Sequence, residues 1–140
     1  MGYYCKKTSY IIYFDAYSSP HKHNKSGWAV IIKRNDLIIM ICHGKFKPDM
    51  TNNESELRAL KEALLTAKFL PENSSKYIFG DSKLSIDLFN GECRTRKLHL
   101  QMAVLEAQEI ASDLSDYSVG WIGREFNLAG KLLEKLNKNV

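Results

Sequence analysis

Cysteine is scarce in this chain. Cys5, Cys42 and Cys93 are odd in number and far apart, and no two stand at a C-x-x-C spacing. That argues against a disulfide framework and a thiolate-held zinc, and reads as three reduced thiols in a cytoplasmic protein. Long apolar runs are missing as well. None approaches the roughly 20 residues that span a bilayer, so no membrane association is expected. A secretory hydrophobic segment is lacking, which makes Asn73-Ser74-Ser75 a turn and not a glycosylation site. Lys6 stands where N-myristoylation after Met-Gly needs Ser or Thr. There is no low-complexity tract and no internal repeat. Nor does one sign of charge dominate: 20 basic and 16 acidic residues leave +4, which permits a polyanionic partner without requiring one.

What is present fits one domain with one core over residues 1–140. An apolar fraction of 44% and a charged fraction of 26% place the chain among ordinary globular proteins. Nothing calls for a protein partner, so a monomer is the expectation.

The first third reads as strands. Tyr10 to Phe14 is a β-forming apolar run that ends on Asp15. Ser18 to Gly27 is polar, with Pro20 and Gly27, and reads as a loop. Trp28 to Ile32 and Leu37 to Cys42 follow as strands around a turn at Lys33-Arg34-Asn35-Asp36. The period then changes. Thr51 opens a helix to about Phe69, with Thr51 and Glu54 spaced as a reciprocal capping box. Tyr77 to Phe79 is a short strand ending on Gly80-Asp81. Ser82 to Phe89 and Leu98 to Leu114 are helices, Tyr117 to Ile122 a last strand, and Leu128 to Leu136 a last helix. The order β-β-β-α-β-α-α-β-α predicts an α/β fold: a mixed five-stranded sheet, three antiparallel strands and then parallel ones, flanked by helices.

Three acids stand out. Asp15 and Asp81 each follow an apolar strand run, where ligands gather in such sheets and where Asp also serves plain turns. Glu56 lies on the apolar stripe of its helix, with Leu57, Leu60, Ala63, Leu64 and Ala67. A carboxylate aimed inward is costly unless it is paired or binds a metal. The alternative is that Glu56 complements the helix dipole and reaches solvent. Three converging acids repel, and a divalent cation removes the repulsion. Mg²⁺ suits such a set, being hard and oxygen-seeking.

Tyr13-Phe14-Asp15, Thr51-Asn52-Asn53-Glu54-Ser55-Glu56-Leu57, Gly80-Asp81-Ser82 and Trp121-Ile122-Gly123-Arg124-Glu125-Phe126-Asn127-Leu128-Ala129 together resemble the successive active-site motifs of the ribonuclease H family. The last is similar to the reverse-transcriptase-like and plant-like branch. The resemblance covers nearly the whole chain, and its strength lies in four motifs in order on the expected elements. It implies the ribonuclease H-like fold. It further implies Asp15, Glu56 and Asp81 as catalytic, metal-binding carboxylates for two Mg²⁺ ions with substrate, or Mn²⁺ in their place. The implied activity is hydrolysis of the RNA strand of RNA–DNA hybrids, giving 3′-hydroxyl and 5′-phosphate ends. Thr51, Asn52 and Asn53 stand where the family contacts the duplex, Ser82 and Lys83 where it approaches nucleic acid, and Arg124 where relatives carry a mobile basic residue. A-form-like duplexes are read through a shallow minor groove and the 2′-hydroxyl.

Two departures qualify the resemblance. A fourth carboxylate normally follows the alanine of the last motif, and Gly130 stands there. Three carboxylates and water suffice, or Glu134 or Glu125 reaches in, or the domain is a catalytically impaired nucleic-acid-binding module. The long basic insertion of some relatives is also absent, with Arg94, Arg96 and Lys97 as a short substitute or simply a solvated face. Another nuclease or a transposase of the same fold is a third reading, against which the Thr-Asn-Asn motif argues.

Overall fold

The computed structural model describes residues 7–19, 25–46 and 50–138. Its strands are β1 (Ser9–Ser19), β2 (Lys25–Arg34), β3 (Leu37–Lys45), β4 (Ser75–Gly80) and β5 (Tyr117–Trp121). Its helices are α1 (Asn52–Ala67), α2 (Lys83–Phe89), α3 (Leu98–Ala111) and α4 (Leu128–Lys138), with a 3₁₀ turn at Arg124–Phe126. The sheet order is β3-β2-β1-β4-β5. β1, β2 and β3 pair antiparallel, while β1–β4 and β4–β5 are parallel. The expected mixed sheet is therefore the observed one. The fold is ribonuclease H-like.

One strand boundary differs from the sequence reading. β1 does not stop at Asp15 but continues to Ser19, and β2 begins at Lys25, so both ends of the expected Ser18–Gly27 loop are ladder. Residues 20–24 lie outside the described residues. Cross-strand pairing overrides the local polarity here. Gly27 is the enabling residue. It pairs with Tyr17, and a Cβ at Gly27 would lie 2.6 Å from the Tyr17 ring and 2.8 Å from the Gly44 carbonyl. Asp15 thus sits inside a strand, opposite Ala29.

Alternation along β1 sends Tyr10, Ile12 and Phe14 into the main core, against Leu60, Ala63, Leu64 and Ala67 of α1. The opposite face carries Tyr13 and Tyr17, packed with Ala29 of β2 and Ala129 and Leu133 of α4. Asp15 belongs to this second face, beneath α4. Each strand end that matters is closed tightly. A Cβ on Gly80 would meet the Phe14 ring at 2.4 Å, so the residue before Asp81 must be glycine for β4 to lie this close to β1.

α1 is capped by Thr51, whose hydroxyl accepts from the Glu54 N–H at 3.2 Å. The reciprocal half of the expected box is replaced: Glu54 Oε2 accepts from Arg58 Nε at 3.1 Å. At the far end of the sheet Lys76 is 1% exposed. Its Nζ donates to the carbonyls of Ser74 and Ser115 at 2.9 Å and of Glu72 at 3.4 Å. It ties the α1–β4 connection to the α3–β5 turn through these hydrogen bonds, and its charge also favours the Asp116 carboxylate.

Candidate functional site

β1, α1 and the end of β4 each deliver one acid to the same place. Asp15, Glu56 and Asp81 offer ligand oxygens that all lie within 4.8 Å of one another. The α1 stripe explains Glu56: Leu57, Leu60, Ala63 and Leu64 are fully buried, which turns the neighbouring face of the first turn toward β1. Among the described residues this is the one group of acids, histidines and cysteines with metal-holding geometry.

The electrostatics record the crowding. Burial, then the Asp81 charge, raise the Asp15 carboxyl to about 6, although Glu56, the Ala16 backbone N–H and Arg124 pull it down. Glu56 is pushed up to about 10, by burial first and then by the charge and hydrogen bond of Asp15. At neutral pH the pair therefore retains one proton between them. Glu56 Oε2 is buried and has no hydrogen-bond partner. An acceptor oxygen left orphaned in this way costs about 1–3 kcal/mol, and a cation between the acids would supply the missing interaction. The all-oxygen donor set fits Mg²⁺ or Mn²⁺ and offers nothing to a soft metal.

A cavity of about 230 Å³ opens beside two of the acids, Asp15 and Glu56, and is lined also by Arg124, Gly130, Lys131, Glu134 and Asn137; Asp81 does not line it. Gly130, Glu134 and Asn137 follow one face of α4 at i, i+4 and i+7. Gly130 is buried, and a Cβ there would lie 2.8 Å from Asp15 Oδ2. Glu134 lines the cavity from an exposed position. Glu125 does not line this cavity; its carboxylate oxygens lie 2.9–3.0 Å from where a Cβ on Gly123 would stand. Arg124 is exposed at the cavity wall and close enough to Asp15 to lower its pKa.

The other expected contact residues do not line this cavity. Thr51 and Asn52 are exposed, and Asn53 half-buried, at the start of α1. Ser82 caps α2, accepting from the Ser85 N–H at 3.4 Å and donating to the Ser85 hydroxyl at 2.9 Å. Lys83 is exposed and pairs with Asp87 at 3.2 Å. Arg94, Arg96 and Lys97 are exposed between α2 and α3.

Asn127 was not singled out as a site residue by sequence reasoning. It is fully buried, and its Nδ2 donates to Asp81 Oδ2 at 3.0 Å and to the Phe14 carbonyl at 2.9 Å. The available signal was the Asn immediately before an apolar helical run, which marks a helix start but says nothing of Asp81.

The chain belongs to the reverse transcriptase-like family, whose model matches residues 14–135. Among solved structures it is similar to RNase H1 from the halophilic archaeon Halobacterium salinarum, with a TM-score of 0.81 and 23% identity over 94% of this chain and 99% of that one. It is also similar to the LC11 RNase H1 isolated from compost, in complex with an RNA/DNA hybrid, with a TM-score of 0.79 and 21% identity over 93% and 98%. A foamy viral protease–reverse transcriptase bound to an RNA/DNA hybrid matches at a TM-score of 0.70 and 16% identity, over 95% of this chain and 20% of that one. At these identities the likeness establishes the ribonuclease H-like fold. No curated protein sequence matches at a significant level. Among the described residues no helix is long and apolar enough to cross a membrane.

Proposed function

We propose that this domain is a metal-dependent endonuclease that hydrolyses the RNA strand of RNA–DNA hybrids, leaving 3′-hydroxyl and 5′-phosphate ends. The observation that carries the reading is the orphaned, buried Glu56 Oε2 inside a triad whose oxygens converge within 4.8 Å. Such an arrangement is costly as it stands and becomes favourable around a divalent ion. Two of the similar structures hold RNA/DNA hybrids, which supports the choice of substrate.

In this reading Asp15, Glu56 and Asp81 would hold two Mg²⁺ ions together with the substrate, and Mn²⁺ would substitute. Bound ions of this kind supply Lewis acidity to the scissile phosphate and lower the pKa of an attacking water. The protein's own residues bind and orient. Thr51, Asn52 and Asn53 present polar groups beside Glu56 to the minor groove and its 2′-hydroxyls. Ser82 and Lys83 follow Asp81 and would meet the nucleic-acid backbone, and Arg124, at the cavity wall, would meet a phosphate. Glu134, on the same α4 face as Gly130 and lining the cavity, would add the ligand that position 130 lacks.

Gly130 favours a second reading, a binding module that retains hybrid affinity without turnover. Cleavage of a labelled hybrid, measured with Mg²⁺ and with Mn²⁺ beside hybrid binding, separates the two. Cleavage abolished by Asp81→Asn with the fold intact supports the nuclease. Full Mg²⁺-dependent activity in Asp81→Asn sinks the metal assignment. Wild-type binding without cleavage establishes the module, and cutting of double-stranded DNA would point to another nuclease of this fold.

A further inference from the structure

The end of β5 and the residue before α4 each grip Asp81. The Trp121 indole Nε1 donates to the Asp81 backbone carbonyl at 3.1 Å. Asn127 Nδ2 donates to the Asp81 carboxylate at 3.0 Å. The second contact is the informative one, because the same nitrogen also donates to the carbonyl of Phe14, the residue before Asp15. The other end of the amide, Oδ1, accepts from the Ala129 N–H at 3.2 Å and so caps α4. Both amide hydrogens and the amide oxygen are thus used. The Ala129 N–H must meet an acceptor, so the amide has one orientation and cannot flip. Water does not compete, since Asn127 is fully buried.

One side chain therefore spans β1 next to the first acid, the third acid itself, and the first turn of the helix that covers both. The neutral amide engages Asp81 Oδ2 without adding charge to three crowded carboxylates, and it leaves Oδ1 of Asp81 free for a cation. Position 130 at the start of α4 is glycine and presents no ligating side chain to Asp15; what the start of this helix contributes to Asp81 is this hydrogen bond.

We propose that Asn127 is the positioning residue that sets the separation and orientation of Asp15 and Asp81, and that it governs the metal affinity of the site from the start of α4. The proposal rests on the metal-site reading above. Outer hydrogen-bond partners of metal ligands typically contribute 10- to 100-fold in affinity.

The test is Mn²⁺ binding to the full chain by calorimetry, with no nucleic acid present. Asn127→Ser keeps a good helix cap but is too short to reach Asp81. It should weaken Mn²⁺ binding at least tenfold while helix content by circular dichroism is retained. Loss of the donor to Phe14 is a structural effect common to any background. The same substitution is therefore repeated in Asp81→Ala, where the tenfold effect should vanish, as a double-mutant cycle requires. An equal loss in both backgrounds, or no loss in either, overturns the proposal. If Asn127→Ser fails to fold, the wild-type side-chain NH₂ resonances of Asn127 decide. They should shift on Mg²⁺ addition and in Asp81→Ala, and signals unmoved by both overturn it. A wild-type chain that binds no Mn²⁺, or an Asp15→Asn variant that binds it equally well, overturns the metal-site reading and this proposal together. Intact Asp15-dependent Mn²⁺ binding with no response at Asn127 overturns this proposal alone.

Discussion

Gly130→Asp is the substitution with the most to say about this site, because the structure makes its apo and metal-bound consequences opposite in sign. A Cβ at position 130 would lie 2.8 Å from Asp15 Oδ2, 3.6 Å from Asp15 Cγ and 3.9 Å from Asn127 Cβ. The Asp15 carboxylate must give way by about half an ångström to reach ordinary van der Waals separation. It is the end of a rotatable side chain, so it can. The new carboxylate then stands roughly 4 Å from Asp15, which at an effective dielectric of about 20 is a repulsion of about 4 kcal/mol. Placement at a helix N-terminus returns about 0.3–1 kcal/mol. Proton uptake by acids already held at about 6 and about 10 relieves a further part. A net loss of about 2 kcal/mol in apo stability is expected near pH 8. With Mg²⁺ the sign turns, because a fourth anionic oxygen faces the ions. Binding should tighten at least tenfold, and the Mg²⁺-induced stabilisation should grow by about 1.4 kcal/mol or more. Hybrid cleavage at limiting Mg²⁺ should rise with it. The assay is thermal unfolding across a Mg²⁺ titration, with Gly130→Ala reporting the steric contribution and Gly130→Asn the shape without the charge. Identical apo stability and identical Mg²⁺ response in the Asp and Asn variants would refute the reasoning, since the side chain at 130 would then not face the acids.

Three further outcomes follow from particular groups. Glu56 is raised from 4.5 to about 10, so the folded apo protein holds a proton that the unfolded chain releases; the stability contribution is complete below about pH 4.5 and is lost as pH rises toward 10. Holding that proton at pH 7 costs up to about 3 kcal/mol, so Glu56→Gln should raise the metal-free urea midpoint at pH 7–8 and abolish the gain from Mg²⁺; a midpoint equal to wild type at both pH 4 and pH 8 contradicts the buried-acid assignment. Lys76→Met strands the carbonyls of Ser74 and Ser115 and should cost about 2–4 kcal/mol in urea unfolding, with hybrid cleavage at low temperature unaltered; an unchanged midpoint would mean that water replaces the ammonium. Hybrid affinity should fall steeply with salt as phosphate contacts release counterions, and a salt-independent affinity in a filter-binding assay would count against the cleft.

The fold was legible where periodicity was strong. The α1 stripe from Leu57 to Ala67 lies fully buried, and the switch from a strand period to a helical one at Thr51 marks the junction between meander and α1. It was illegible where pairing, not composition, makes the strand. Ser18 and Gly27 look like loop residues in isolation, yet Ser18 pairs with Ser26 and Gly27 with Tyr17. A glycine under an aromatic ring is a cross-strand fact, invisible in a window of neighbours. The capping box failed in its second half for a similar reason. Arg58, one turn on and also paired with Glu106 of α3, competes for the Glu54 carboxylate.

The site divides along the same line. Asp15, Glu56 and Asp81 were readable because each breaks a local rule: two acids terminate apolar runs and one interrupts an apolar stripe. What brings them to functional geometry breaks no rule and so left no mark. Gly80 reads as a strand end, but it is the contact that seats β4 against Phe14. Gly130 reads as a missing ligand, but the structure shows Asp15 Oδ2 in the space that its side chain would fill, so the glycine and the conformation of Asp15 form one feature. Asn127 reads as a helix cap, and it is one, yet its two donor hydrogens are spent on the backbone beside Asp15 and on the carboxylate of Asp81. The charges of this site can be found residue by residue. Their spacing is set by two glycines and an amide, which is why a variant at 80, 127 or 130 should perturb metal binding without removing a single acid.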